Sequence, residues 1–280
     1  MEYWFIIILA LVAVVAIGLL LYFEVMGDDA VILRKKYRRG KYINDENAVI
    51  YRSIKDTKDP KQAYIIFVEY IFSNQKLFLE YVKTTLHNIS KSYNEGNLAG
   101  LRQCVEDTKE MKIELKDQRI SQYECVNTID RYIYIEFSAW INIANNSRFS
   151  INDSLRGMAE VCLEYAQNYS TPFPELYVEQ LNVLINDICN ICNSCLDLVG
   201  TNNTQEMREL RKNMSVILDE SYANAQRLFE VIHDGRSQFE IDKHIALKYA
   251  LNAFQELHGI IYTLRRFVLA DICITLSIQQ

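Results

Sequence analysis

Proline occurs only three times in this 280-residue chain, at positions 60, 172 and 174. Glycine is nearly as sparse, with nine in all. Proline breaks helix interiors and glycine weakens them, so long stretches lacking both permit long helices. Pro is absent from Lys61 to Thr171 and again after Pro174, and the apolar residues in those stretches recur at helical spacing. Tyr64, Phe67, Val68, Ile71, Phe72, Phe78, Leu79, Val82, Leu86, Ile89 and Tyr93 follow one another mostly three or four apart, the mark of one buried helix face. Gly96 supplies a left-handed cap at the end of that helix.

The same reading continues along the chain. A second helix runs from about Leu98 towards Ile129, with a charged middle that solvates one face. Tyr132-Ile133-Tyr134-Ile135 is too short for a strand between helical segments and reads as a turn of a buried helix, and a further helix covers roughly Asn152 to Tyr169. Pro172 disfavours helix at Thr171, and Pro174 suits a helix first turn. The next helix stops at Gly200, Thr201-Asn202-Asn203-Thr204 caps another that ends at His233-Asp234-Gly235, and the last starts near Ser237 and runs through Val268. No segment combines strand periodicity with hairpin chemistry.

Ahead of these helices lies an uncharged apolar run, Tyr3 to Phe23, flanked by Glu2 and Glu24 and carrying aromatic residues at both ends. It matches the ~20 residues a helix needs to span a bilayer, and it is too long and lacks the basic n-region of a cleavable signal. Arg34, Lys35, Lys36, Arg38, Arg39 and Lys41 follow, the positive flank that stays on the cytoplasmic side. The expectation is a single-pass protein of the inner membrane, N-terminus outside and the remainder cytoplasmic, with the basic block near anionic lipid headgroups. The expected fold class is all-α: one N-terminal transmembrane helix, then two consecutive three-helix antiparallel bundles. The divisions are 1–26 anchor, 27–60 basic connector, 61–171 first three-helix unit and 172–280 second unit. Six helices around one continuous core remain the alternative.

Charge and chemistry narrow the function. Residues 34–61 carry ten Lys/Arg against four Asp/Glu, whereas 62–280 carry twenty against twenty-eight. An acidic bundle is a poor match for nucleic-acid phosphates, so no nucleic-acid partner is expected. Cys189, Cys192 and Cys195 have the spacing of an iron–sulfur run, but position 199 is Val where a fourth cysteine would stand, so they read as core packing. The histidines, His87, His233, His244 and His258, are scattered over three helices. Glu240 and His244 share a face without a matching pair, and no His-Glu-x-x-His, phosphate-cradling Gly-rich loop or Gly-x-Ser-x-Gly is present. Neither catalysis nor a cofactor is expected.

Against this background the chain resembles PhoU-like proteins, above all the PhoU-like domain at the C-terminus of some bacterial inorganic phosphate transporters. The resemblance is carried by Ser154-Leu155-Arg156-Gly157-Met158-Ala159-Glu160, Tyr165, the Pro172–Pro174 break, Glu179-Gln180-Leu181 with Ile185-Asn186, and the Gln238–Phe267 helix with Leu264-Arg265-Arg266. It covers about residues 64–270. It implies an accessory role in regulating phosphate transport by contact with an integral membrane transporter, and a homodimer. Family members often carry Glu/Asp-x-x-x-Asp pairs that can hold a divalent metal. Here only Glu230 and Asp234 match strictly, and Glu106, Glu110, Glu114 and Glu160, Glu164 are looser variants. These read as solvated faces, and metal binding is not carried over. A single anchor cannot conduct phosphate alone, and no repeat of spans follows it.

Overall fold

The computed structural model describes residues 45–125, 129, 131–169, 172–234 and 241–278. The apolar run 3–23 and the basic block Arg34, Lys35, Lys36, Arg38, Arg39 and Lys41 lie outside the described residues. Among the described residues no helix is long and apolar enough to cross a membrane. The chain divides into two units, and nearly all that is described belongs to the second, Val49–Gln280.

The fold is all-α. Seven helices follow in order among the described residues: α1 Asp45–Asp56, α2 Pro60–Asn94, α3 Leu98–Cys125, α4 Arg131–Asn168, α5 Glu175–Leu198, α6 Thr204–Asp234 and α7 Ile241–Ile278. Their ends follow from local chemistry. Asp59 accepts from the Lys61 N–H at 3.0 Å ahead of Pro60, which has no N–H to lose at a first helical position. At the other end of α2, Gly96 takes φ 64°. Gly96 N–H then bonds Tyr93 O and Asn97 N–H bonds Ser92 O, the two closing bonds of a Schellman cap. Asn97 starts α3 by accepting from Gly100 N–H at 2.9 Å.

The sequence reading and the structure part company in α4. This helix is continuous over 38 residues, taking in both the Tyr132–Ile135 stretch and the segment expected to begin at Asn152. Asn152 lies inside this helix. Its side chain is buried and tied off on both sides, accepting from Tyr81 O–H at 2.9 Å and donating to Thr108 O at 2.9 Å. Ile135, expected on a buried turn, is 60% exposed. The second helix is described as far as Cys125, Pro174 sits at the cap position of α5, one residue ahead of its first turn, and the last helix continues to Ile278.

Four of these helices close a ring. α2 packs on α4, α4 on α7, α7 on α5 and α5 on α2, while α3 lies against α2 and α4, and α6 against α5 and α7. The most extensive contact joins α4 to α7. The pairings run antiparallel along both joins. Ser154, Gly157 and Glu164 of α4 meet Gly259, Glu256 and Tyr249 of α7, and Ser90 and Phe72 of α2 meet Asn182 of α5 and Gly200 beyond it. One apolar cluster takes residues from both sets of three helices, so they share a core.

The crossover between the two sets is pinned by Phe173. Its ring sits 4.8 Å from Tyr93 and 4.3 Å from Tyr165, and its backbone N–H donates to Tyr93 O–H at 2.9 Å. Phe173→Ala therefore removes a buried aromatic that packs on both the first and the third helix of the first set. The expected loss is about 3–5 kcal/mol, read as a lower midpoint in chemical denaturation of the full chain.

Candidate functional site

Two polar constellations stand inside the apolar helix packing. The larger lies where α3 meets α4. Asn145, Arg148 and Asn152 fall three and four residues apart on α4 and so share one face, and all three are buried. Gln118 and Gln122 are one turn apart on α3 and face them. Arg148 donates from Nη1 to Gln118 Oε1 at 2.7 Å and from Nη2 to Asn145 Oδ1, and Asn145 Nδ2 donates to Gln122 Oε1. Arg148 is the largest fully buried side chain of the described residues.

Burial pulls the Arg148 pKa down to about 10, against the field of Tyr70, Asp271 and Glu114. It therefore stays a cation at neutral pH. No carboxylate forms an ion pair with it among the described residues. Glu114 is half-buried and its pKa is raised by burial, with a hydrogen bond from Gln118 opposing the shift. Asp271, on α7, is wholly buried. Burial pushes its carboxyl well above the ordinary range, while Gln75 and Arg148 pull it back. The Cys195 thiol of α5 feels that carboxyl and is itself held protonated by burial.

The second constellation joins α6 to α7. Ser221 Oγ lies 2.6 Å from His258 Nε2, and Tyr222 stacks on the imidazole at 4.2 Å. A serine beside an imidazole invites a nucleophilic reading. The hydroxyl, however, donates its one hydrogen to Leu218 O at 2.9 Å, so His258 donates from Nε2, the reverse of what a general base requires. Ser221 also sits inside α6, where backbone N–H groups are committed to the helix and form no oxyanion hole. This pair satisfies two buried polar groups.

The residues singled out from sequence are dispersed. Glu106 pairs with Lys109 at 2.7 Å, Glu160 lies 3.6 Å from Arg156, and Glu164 accepts from Tyr249 O–H at 2.8 Å. Glu230 and Asp234 fall in the last turns of α6, and Glu240 lies outside the described residues. His87 and His244 are exposed on α2 and α7. Among the described residues no group of three His, Cys, Asp or Glu side chains is placed to hold a metal. Cys192 and Cys195 are buried and Cys189 is half-buried, all with thiol pKa values raised by burial. They pack as small apolar residues. A cavity beside Phe173, between α2, α4 and α5, measures about 20 Å³, room for one water.

The Arg148 network and the Ser221–His258 pair were not singled out in the sequence. Their signal is present there as polar residues at positions the apolar periodicity assigns to the core, such as Asn145-x-x-Arg148-x-x-x-Asn152. No protein-family model, no curated protein and no solved structure matches the chain.

Burial lowers the His258 pKa from its ordinary 6.5. The folded chain thus binds this proton less well than the unfolded chain does. That contribution to stability is fully present above about pH 6.5 and is lost as pH falls through the lowered value. His258→Gln, which keeps a donor but does not titrate, is expected to lose less stability than wild type between pH 6.5 and 5. Denaturation midpoints at both pH values check it.

Proposed function

We propose that this protein is a membrane-anchored, PhoU-like accessory component of inorganic phosphate transport that regulates a partner by contact rather than by turnover. The observation that carries the reading is the duplicated helix arrangement. Each set of three helices closes on itself, and the sets join first helix to first, α2 to α5, and third to third, α4 to α7. Two such three-helix units are what the PhoU-like resemblance implies. The apolar run 3–23 with its basic flank supports a membrane anchor, and the acidic balance of residues 62–280 supports a protein partner over a nucleic acid. Phosphate enters through the resemblance, because fold alone does not specify function. The inside-facing placement, the anchor and a homodimer belong to the same reading.

A second reading has its own observation. The acidic rows that PhoU-like proteins use for metal are taken up here in pairings, Glu106 with Lys109 and Glu160 with Arg156 within one helix and Glu164 with Tyr249 across to α7. That favours a membrane-tethered helical scaffold or sensor unrelated to phosphate. Recovery of the full chain from its native membrane in mild detergent, at high and at low phosphate, separates the two. The regulator reading expects a multi-span phosphate transporter to be recovered, with occupancy changing between conditions. An unrelated partner, or an occupancy indifferent to phosphate, removes phosphate from the account.

A further inference from the structure

The axis of the four-helix ring holds a polar pair whose bonding is incomplete. Asp271 of α7 and Gln75 of α2 are both fully buried. They come from diagonally opposite helices, which also meet where Tyr64 O–H lies 2.7 Å from Ser277 Oγ. The Gln75 amide stands beside the Asp271 carboxyl and pulls against the effect of burial. Yet neither Asp271 oxygen, and neither Gln75 Oε1 nor Nε2, has a partner at hydrogen-bond geometry. Buried polar groups left in that state carry their full desolvation cost, so such a pair is expected to close.

Only one protonation state closes it completely. An ionised carboxylate accepts and cannot donate, whereas a primary amide offers both a donor and an acceptor. With Asp271 ionised, one of its oxygens accepts from Gln75 Nε2, the other can turn only to a donor outside the pair such as the unpartnered Arg148 Nε, and Gln75 Oε1 is left without a donor. With Asp271 protonated, its O–H donates to Gln75 Oε1 while its carbonyl oxygen accepts from Nε2. All four orphaned atoms are then used by a small rotation of two side chains. We infer that Asp271 is a proton-binding site at the bundle axis, which holds α7 to α2 through a neutral acid–amide pair with Gln75 and releases that join when the proton leaves.

The surroundings supply the other half of a switch. The groups that face Asp271 are Gln75 from α2, which does not titrate, Arg148 from α4 and the Cys195 thiol from α5. From α6, Arg208 and Arg211 face Cys273, two residues along α7. The thiol is neutral, so Arg148 is the one cation acting on the carboxyl among the described residues. Its Nη1 and Nη2 are held by Gln118 and Asn145, and its Nε has no partner. An ionised Asp271 is drawn towards that Nε. The proton thus decides whether α7 is tied to α2 or pulled towards α4, and this holds whether or not the partner is a phosphate transporter.

The test is chemical denaturation of the full chain in detergent from pH 5 to 9, wild type against Asp271→Asn. The variant is close in shape to the protonated acid and does not titrate. A carboxyl that keeps its proton on folding makes the unfolding constant rise by up to about tenfold per pH unit, from the unfolded value near ~4 up to the folded one. Asp271→Asn is expected to lose that slope and to be at least as stable as wild type at pH 7. A variant that fails to fold, or is less stable at pH 7 with the slope intact, makes Asp271 the ionised counter-charge of Arg148 and overturns the inference. Infrared spectra of wild type and Gln75→Leu give an independent reading. A protonated-carboxyl stretch at neutral pH that moves when Gln75 is lost supports the pair. No such band, or one indifferent to Gln75, overturns it.

Discussion

The antiparallel seam between α4 and α7 is the contact on which the rest of the structure depends. Each helix has 38 residues, so each is about 57 Å long at 1.5 Å per residue. Along the seam stand two glycines, Gly157 and Gly259. A Cβ at Gly157 would lie 2.5 Å from the Glu256 carboxylate, and one at Gly259 would lie 3.1 Å from Ser154 Oγ. A helix-interior glycine costs about 1 kcal/mol relative to alanine. What it provides here is room for the Glu256 carboxylate and the Ser154 hydroxyl to lie against the facing helix. Rows such as Ile151, Leu155 and Met158 on α4, with Leu257, Ile261 and Leu264 on α7, are then fully or nearly fully buried. Either three-helix set alone would leave one of these rows facing water. The apolar requirement of the third helix in each set therefore explains why the two share a core.

Apolar burial by itself does not set the register of long parallel cylinders, since rows of Leu and Ile tolerate a shift of one turn. The polar residues inside this core are less forgiving. Gln118 takes Arg148 Nη1 and Gln122 takes Asn145 Nδ2, and at the half-exposed edge of the same contact Lys112 meets Asp153 at 2.8 Å. Thr108 O and Tyr81 O–H hold the two ends of the Asn152 amide. Sliding α3 by a turn along α4 would break its bonds to Asn145, Arg148 and Asn152 together and leave buried groups without partners, each costing about 1–3 kcal/mol. Such a network adds little net stability compared with an apolar replacement, and its strength is that it penalises the alternatives.

The helical frame was legible because its punctuation is chemical and local. Pro60, Gly96, the Pro172–Pro174 pair and Gly200 each act within a turn of the chain, and each falls at a helix end in the structure. The extent of α4 was not legible. Asn152 reads as the start of a helix when only its own neighbourhood is considered, whereas its side chain is held inside the packing by Tyr81 and Thr108, which lie 71 and 44 positions away. The same holds for Arg148 and Asp271. Charged side chains are rarely fully buried, so a sequence reading sends them to the surface. Their placement inside depends on partners from α2, α3 and α5 that no local pattern announces. The acidic pairs that did stand out in the sequence are mostly surface features answered by a nearby lysine, arginine or tyrosine.

The connections constrain what kind of function such a chain can carry. Helices α2 to α7 are joined by segments of three to six residues, the short connections usual between packed helices. Any response must then be expressed as movement of helices against one another, and helices packed over their whole length move by small shifts between discrete arrangements. Such arrangements differ most where a tie between helices can be made or broken at small cost in packing. An apolar contact cannot serve, because its strength varies smoothly with area. A buried titratable group can, because one proton changes which neighbour satisfies it. The axis of the ring, where Asp271 stands between Gln75 of α2 and Arg148 of α4, is a place where that choice exists. A contact made on the outer faces could bias it through the α4–α7 seam.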